Sequence, residues 1–168
     1  MAYPPIRPFA RGLVPAPTGP ESVALDRHAI DTVGVPQAVL MENAGRSAAA
    51  VLQHLYPHGS VLGLIGAGNN GGDALVLLRT LKAWGRGVRG ILVADRSPGD
   101  PLLHGWSVPL STDGDMGDKS WEEELGSTDI IVDGILGTGV RGAPRKRQAA
   151  AIERVNNTFI DQQVCCRR

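Results

Sequence analysis

The chain has 168 residues, enough for one domain with a real core. Hydrophobic residues make up 42% and aromatics only 4%, so that core is mainly aliphatic. Seventeen Lys and Arg balance seventeen Asp and Glu, which argues against a nucleic-acid binder, and no apolar run approaches the roughly 18 residues of a membrane span.

Residues 1–20 contain six of the twelve prolines and are expected to be a disordered leader outside the fold. Their two arginines, with no acid nearby, only faintly suggest a transit peptide, because the prolines break any amphipathic helix. From Ser22, a plausible N-cap, "SVALDRHAIDTVGVPQ" spaces Val23, Ile30 and Val33 for a helical face and stops at Gly34 and Pro36. A second helix is predicted through "AVLMENAGRSAAAVLQHLY", closed by Pro57 and Gly59. "SVLGLIGAG" then reads as a strand covered on both faces, as in a parallel sheet. "DALVLLRTLKAWG" puts Leu75, Leu78, Leu81 and Trp84 on one side of a helix. "GVRGILVAD" is a second strand, residues 96–128 are loop-like with a short helix in "SWEEEL", Ile130–Asp133 is a third strand, and "RQAAAIERVNN" is the last helix. Strands alternating with helices predict an α/β fold: a three-layer Rossmann-like sandwich with a mostly parallel sheet.

Chemistry concentrates in two glycine-rich turns. "GAGNNGGD" could be an Asn-Gly hairpin, but helical periodicity follows it, and a hairpin needs a strand there. Gly66, Gly68 and Gly71 also satisfy a dinucleotide fingerprint, with Asp95 placed to bind a ribose. Asp73 opposes that reading, because a carboxylate in the first helical turn repels a pyrophosphate. Asn69, Asn70 and Asp73 suit a cation or an uncharged polar group instead. The second turn, "IIVDGILGTGVRG", ends a strand on Asp133 and continues through Gly137, Gly139 and Gly142. Either Asp133 joins a site shared with the first turn, or it caps the next segment and the glycines only punctuate a loop.

"MENAG" (Met41–Gly45), "GAGNNGGDALV" (Gly66–Val76) and "DGILGTGVRG" (Asp133–Gly142), in this order, resemble NAD(P)H-hydrate epimerase, often the amino-terminal domain of a bifunctional repair protein. The similarity covers roughly residues 22–157 and bounds a domain at about 21–160, with 161–168 a non-matching tail. It implies epimerisation of the R and S forms of hydrated NAD(P)H, assisted by potassium. It also implies substrate contacts at Asn69, Asn70, Gly71, Gly72 and Asp73 and at Gly137, Thr138, Gly139, Val140, Arg141, Gly142 and Ala143, with potassium on Asn70 and Asp133. Asp73 is the candidate for proton transfer. Arg145, Lys146 or Arg147 could meet the substrate's phosphates, although a solvated helix start is the ordinary explanation. The family pattern continues into a further strand and Asp-x-Pro-Ser-Gly, which this chain lacks, so the sheet is expected to be incomplete on its C-terminal side, the fold marginal and the activity low. The resemblance is compatible with a homodimer, with fusion to or cooperation with an NAD(P)H-hydrate dehydratase, and with a cytoplasmic location. The competing functions are a Rossmann-type NAD(P)-binding oxidoreductase fragment and a non-catalytic remnant of the epimerase fold. His28, His54, His58 and His104 have no metal or catalytic spacing, and adjacent Cys165 and Cys166 form neither a disulfide framework nor a zinc site.

Overall fold

A computed structural model describes residues 18–97, 100–104 and 107–161, with the side chains of 159–161 left aside. The chain runs α1 (Gly19–Asp31), α2 (Gln37–Leu55), β1 (Val61–Ile65), α3 (Asn69–Ala83), β2 (Val88–Leu92), β3 (Leu110–Thr112), α4 (Asp118–Gly126), β4 (Ile130–Gly134) and α5 (Lys146–Asp161). Short 3₁₀ turns occupy Pro101–Leu103 and Asp113–Asp115.

The four strands form one parallel sheet in the order β3-β2-β1-β4, the expected α/β sandwich. All five residues of β1 are buried. Alternation sends Val61 and Ile65 into a core with α2 and α3, and Leu62 and Leu64 into a second core with α4 and α5. Gly63 and Gly90 stand opposite each other in the register, and a Cβ on Gly63 would lie 2.6 Å from Leu78 Cδ1. The missing side chains are what let α3 lie close to the sheet.

"MENAG" finds its explanation on the inner face of α2. A Cβ on Gly45 would come within 2.4 Å of Val76 Cβ and 2.7 Å of the Asp73 carbonyl, and one on Gly72 within 2.6 Å of Met41 Sδ. Glu42 pairs with Arg79 of α3. The motif packs α2 onto the start of α3 and so fixes the first glycine-rich turn.

Four local expectations are corrected. Helix α1 begins at Gly19, so 18–20 belong to the fold and not to a leader; residues 1–17 lie outside the described residues. Its cap is Thr18, not Ser22: the Glu21 carboxylate accepts from the Thr18 N–H at 2.7 Å and hydroxyl at 2.8 Å, the carboxylate half of a capping box. Helix α3 starts at Asn69, which places Asn-Asn-Gly-Gly inside its first turn and Asp73 beyond it. The supposed loop of 96–128 contains β3, which pairs with β2 through Gly90–Leu110 to Leu92–Thr112.

Candidate active site

The strand order reverses between β1 and β4. The chain steps outward from β1 through β2 to β3, then returns to the other side of β1. In open parallel sheets ligands bind outside the carboxyl ends of the strands at such a switch point. The two turns that leave β1 and β4 meet there. Gly66 N–H donates to the Gly134 carbonyl at 3.1 Å, and Asn70 Nδ2 donates to the Leu136 carbonyl at 2.8 Å. A Cβ on Gly134 would lie 2.7 Å from Ala74 Cβ, so the approach of α3 to β4 depends on small residues at both positions.

The resulting crevice has two contiguous compartments sharing Ala67, Leu136, Val140 and Gln148. The larger, about 1160 Å³, is lined by Asn69, Asn70, Gly71, Asp73 and Gly137–Val140, with Asp26, Arg27, Ile30 and Asp31 of α1 on its far wall. The smaller, about 680 Å³, runs past Asp95, Arg141, Ala143 and Arg145–Gln148. The structure thus brings nearly all the sequence-predicted substrate residues together; Gly72 is buried under Met41 and Gly142 lines neither compartment. Gln37 Nε2 donates to Asn69 Oδ1 at 3.2 Å, orienting that amide.

Asp73 is partly buried, and its carboxyl holds its proton more tightly than an ordinary aspartate. Desolvation is the main cause and the negative charge of Asp26 the second. Asp133 lies elsewhere. Its register partner is Leu64, so it projects to the α5 face, is exposed, and accepts from the Ile135 N–H at 2.9 Å through Oδ1. It lines neither compartment. Its contact with the Ile135 N–H is a local cap of the segment that follows. Asn70 Oδ1 is the second side-chain oxygen of the expected pair, and among the described residues no group of three His, Cys, Asp or Glu could hold a metal.

Sequence reasoning missed Arg96. This buried guanidinium donates to the Gly66 carbonyl at 2.8 Å and the Gly68 carbonyl at 3.1 Å, and pairs with Asp100 at 2.6 Å. Burial alone would raise the Asp100 carboxyl, but the Leu102 N–H and Arg96 outweigh it and hold it below its ordinary value. Arg96→Ala removes both clamps on the turn and leaves the half-buried Asp100 carboxylate without its cation; it should cost about 1–3 kcal/mol by chemical denaturation. Asp95, the candidate ribose acid, is bound by Arg147 at 2.7 Å. Neither the grip of Arg96 on the turn nor the α1 wall had a local signal, since both act across more than twenty-five residues of chain.

These features define an open, parallel α/β domain with a polar crevice at its switch point. Its sequence says which one: the profile described as YjeF-related protein N-terminus matches residues 37–166, and the chain belongs to that family. It is 36% identical over 141 residues to an NAD(P)H-hydrate epimerase of Rhodopirellula baltica, covering 79% of this chain and 56% of that protein. A bifunctional NAD(P)H-hydrate repair enzyme of Hyperthermus butylicus is 34% identical over 154 residues, 88% of this chain and 28% of that protein. The crystal structure of yeast ynu0 (YNL200c) superposes with a TM-score of 0.75 at 25% identity, covering 86% of this chain and 66% of that one. The chain thus spans about half the length of the epimerase relative and under a third of the bifunctional one. Among the described residues no helix is long and apolar enough to cross a membrane.

Proposed function

We propose that the domain epimerises hydrated NADH or NADPH at carbon 6 of the nicotinamide ring. The observation that carries this reading is the partly buried Asp73 carboxyl, with its raised proton affinity, opening into a crevice built from the two joined turns. Carbon 6 bears a hydroxyl and the ring nitrogen. The nitrogen lone pair expels the hydroxyl as the Asp73 carboxyl protonates the departing oxygen, releasing water and leaving a planar ring cation. Water returns to either face, its proton passes to the Asp73 carboxylate, and the acid is regenerated. Asn69 and Asn70, fixed by Gln37 and the Leu136 carbonyl, orient the ring's polar groups.

Potassium is part of the proposal as an accessory ion. Asn70 Oδ1 and an Asp133 carboxylate oxygen would hold it, and it would supply positive charge; hard oxygen donors are the right chemistry. The described side chains provide only part of a shell, and no proton step depends on the ion. The same reading extends to a cytoplasmic setting, to homodimer formation, and to action alongside a dehydratase, which the names of the bifunctional relatives suggest.

The test follows interconversion of the separated epimers of NADH hydrate by the purified chain, with potassium and with a larger organic cation. Potassium-dependent interconversion is expected. Binding without interconversion would instead identify a non-catalytic module. Asp26→Asn removes the nearby charge that helps raise Asp73, and the limb of the pH–rate profile on which activity falls as the Asp73 carboxyl ionises should move to lower pH. An unmoved profile would show that Asp73 does not set that limb.

A further inference from the structure

The two compartments have opposite charge. In the larger one, Asp26, Asp31 and Asp73 face a single Arg27. In the smaller one, Arg141, Arg145, Lys146 and Arg147 face a single Asp95. Arg147 is committed, bridging Asp95 and Asp113. Arg141, Arg145 and Lys146 form no ion pair with any described residue, although acids are plentiful on this surface. The sixteen-residue helix α5 also begins at Lys146, so its first unpaired N–H groups and the positive end of its dipole meet the same compartment. Nη2 of Arg147, a residue lining this compartment, is buried with no hydrogen-bond partner among the described residues.

The geometry points to the smaller compartment as an anion subsite that takes a phosphate group of the dinucleotide, with Arg145 and Lys146 as its specificity-determining residues. The inference rests on the proposed function for the identity of the ligand. A hydrated dinucleotide is uncharged at its reacting ring and anionic at its phosphates. A crevice acidic at one end and basic at the other admits it in one direction only, with the ring beside Asp73. The reverse placement sets phosphates against three carboxylates. The same polarity explains why Asp73 can serve at an anionic ligand's site: the phosphates sit in the other compartment.

The experiment uses probes without a nicotinamide ring, so it does not depend on turnover. Affinities for ADP-ribose and for 2′-phospho-ADP-ribose are measured by calorimetry for the wild type and for Arg145→Ala/Lys146→Ala. Because both side chains are exposed, Tm should be unchanged. The double variant should bind at least one probe tenfold or more weakly, with a shallower dependence of log Kd on log salt. Equal losses on both probes assign the diphosphate to the subsite; a loss confined to the phosphorylated probe assigns the 2′-phosphate. Unchanged affinity for both, or no measurable binding by the wild type, overturns the inference. Probe binding that depends on Arg145 and Lys146 in a chain that fails to interconvert epimers would keep the subsite and reject the epimerase reading.

Discussion

Asp73→Asn should lower epimer interconversion by roughly 10²- to 10⁴-fold, the range expected when a general acid–base group is lost. The same change should make the domain more stable near neutral pH. Asp73 binds its proton more tightly in the folded state than in the unfolded chain, because burial and Asp26 disfavour the charge. The native state is therefore penalised where the group is ionised. No penalty exists below the unfolded value of about 3.9; it grows as pH rises and is complete above the raised folded value. The stability gap between variant and wild type should accordingly open on going from acid to neutral pH and then stay level. Guanidinium titrations at several pH values measure it. A variant of full activity, or one less stable at neutral pH and equal at acid pH, would contradict the assignment. The combination of lost activity and gained stability is what a group held in an unfavourable state for function should produce.

Gly71→Ala should cost about 3 kcal/mol, a Tm loss of roughly 6–12 °C for a domain of this size. An added Cβ would lie 2.1 Å from the Gly66 carbonyl oxygen and 2.8 Å from its carbon. Both obstacles are backbone, which cannot turn aside as a side chain can. Relief requires the start of α3 to move off β1, which would break the Asn70–Leu136 bond and open the crevice. Gly68→Ala is the control from the same motif. Nothing stands within 4 Å of its Cβ position, and its φ of −84° suits any residue. That variant should melt with the wild type while weakening ligand binding, since Gly68 lines the crevice and an added methyl takes space there. Equal Tm values for the two alanine variants would show that the turn tolerates displacement.

The sequence by itself determined the frame. Strand β1 was readable because both its faces are covered, which demands an unbroken apolar run, and the body of α3 because one leucine face repeats at the helical period. The two turns were readable because each follows an apolar strand with several glycines in a short stretch and a carboxylate beside them. Other features escaped for physical reasons. Strand β3 has three residues at a sheet edge, too few to show a period. Helix α3 starts at Asn69 against the propensity of Asn-Asn-Gly-Gly, because close packing on Gly66 and Met41 needs glycine there and outweighs its helix cost. The Thr18–Glu21 cap was present in the sequence but hidden among prolines and glycines. Where the two acids stand was decided only in three dimensions: strand alternation sends Asp133 to the α5 face, and α1 folds back to set Asp26 beside Asp73. The Arg96 clamp joins the ends of neighbouring strands β1 and β2, and the opposed charge of the two compartments joins α1 and the first turn to the segment after β4 across the strand reversal, so chain order shows neither.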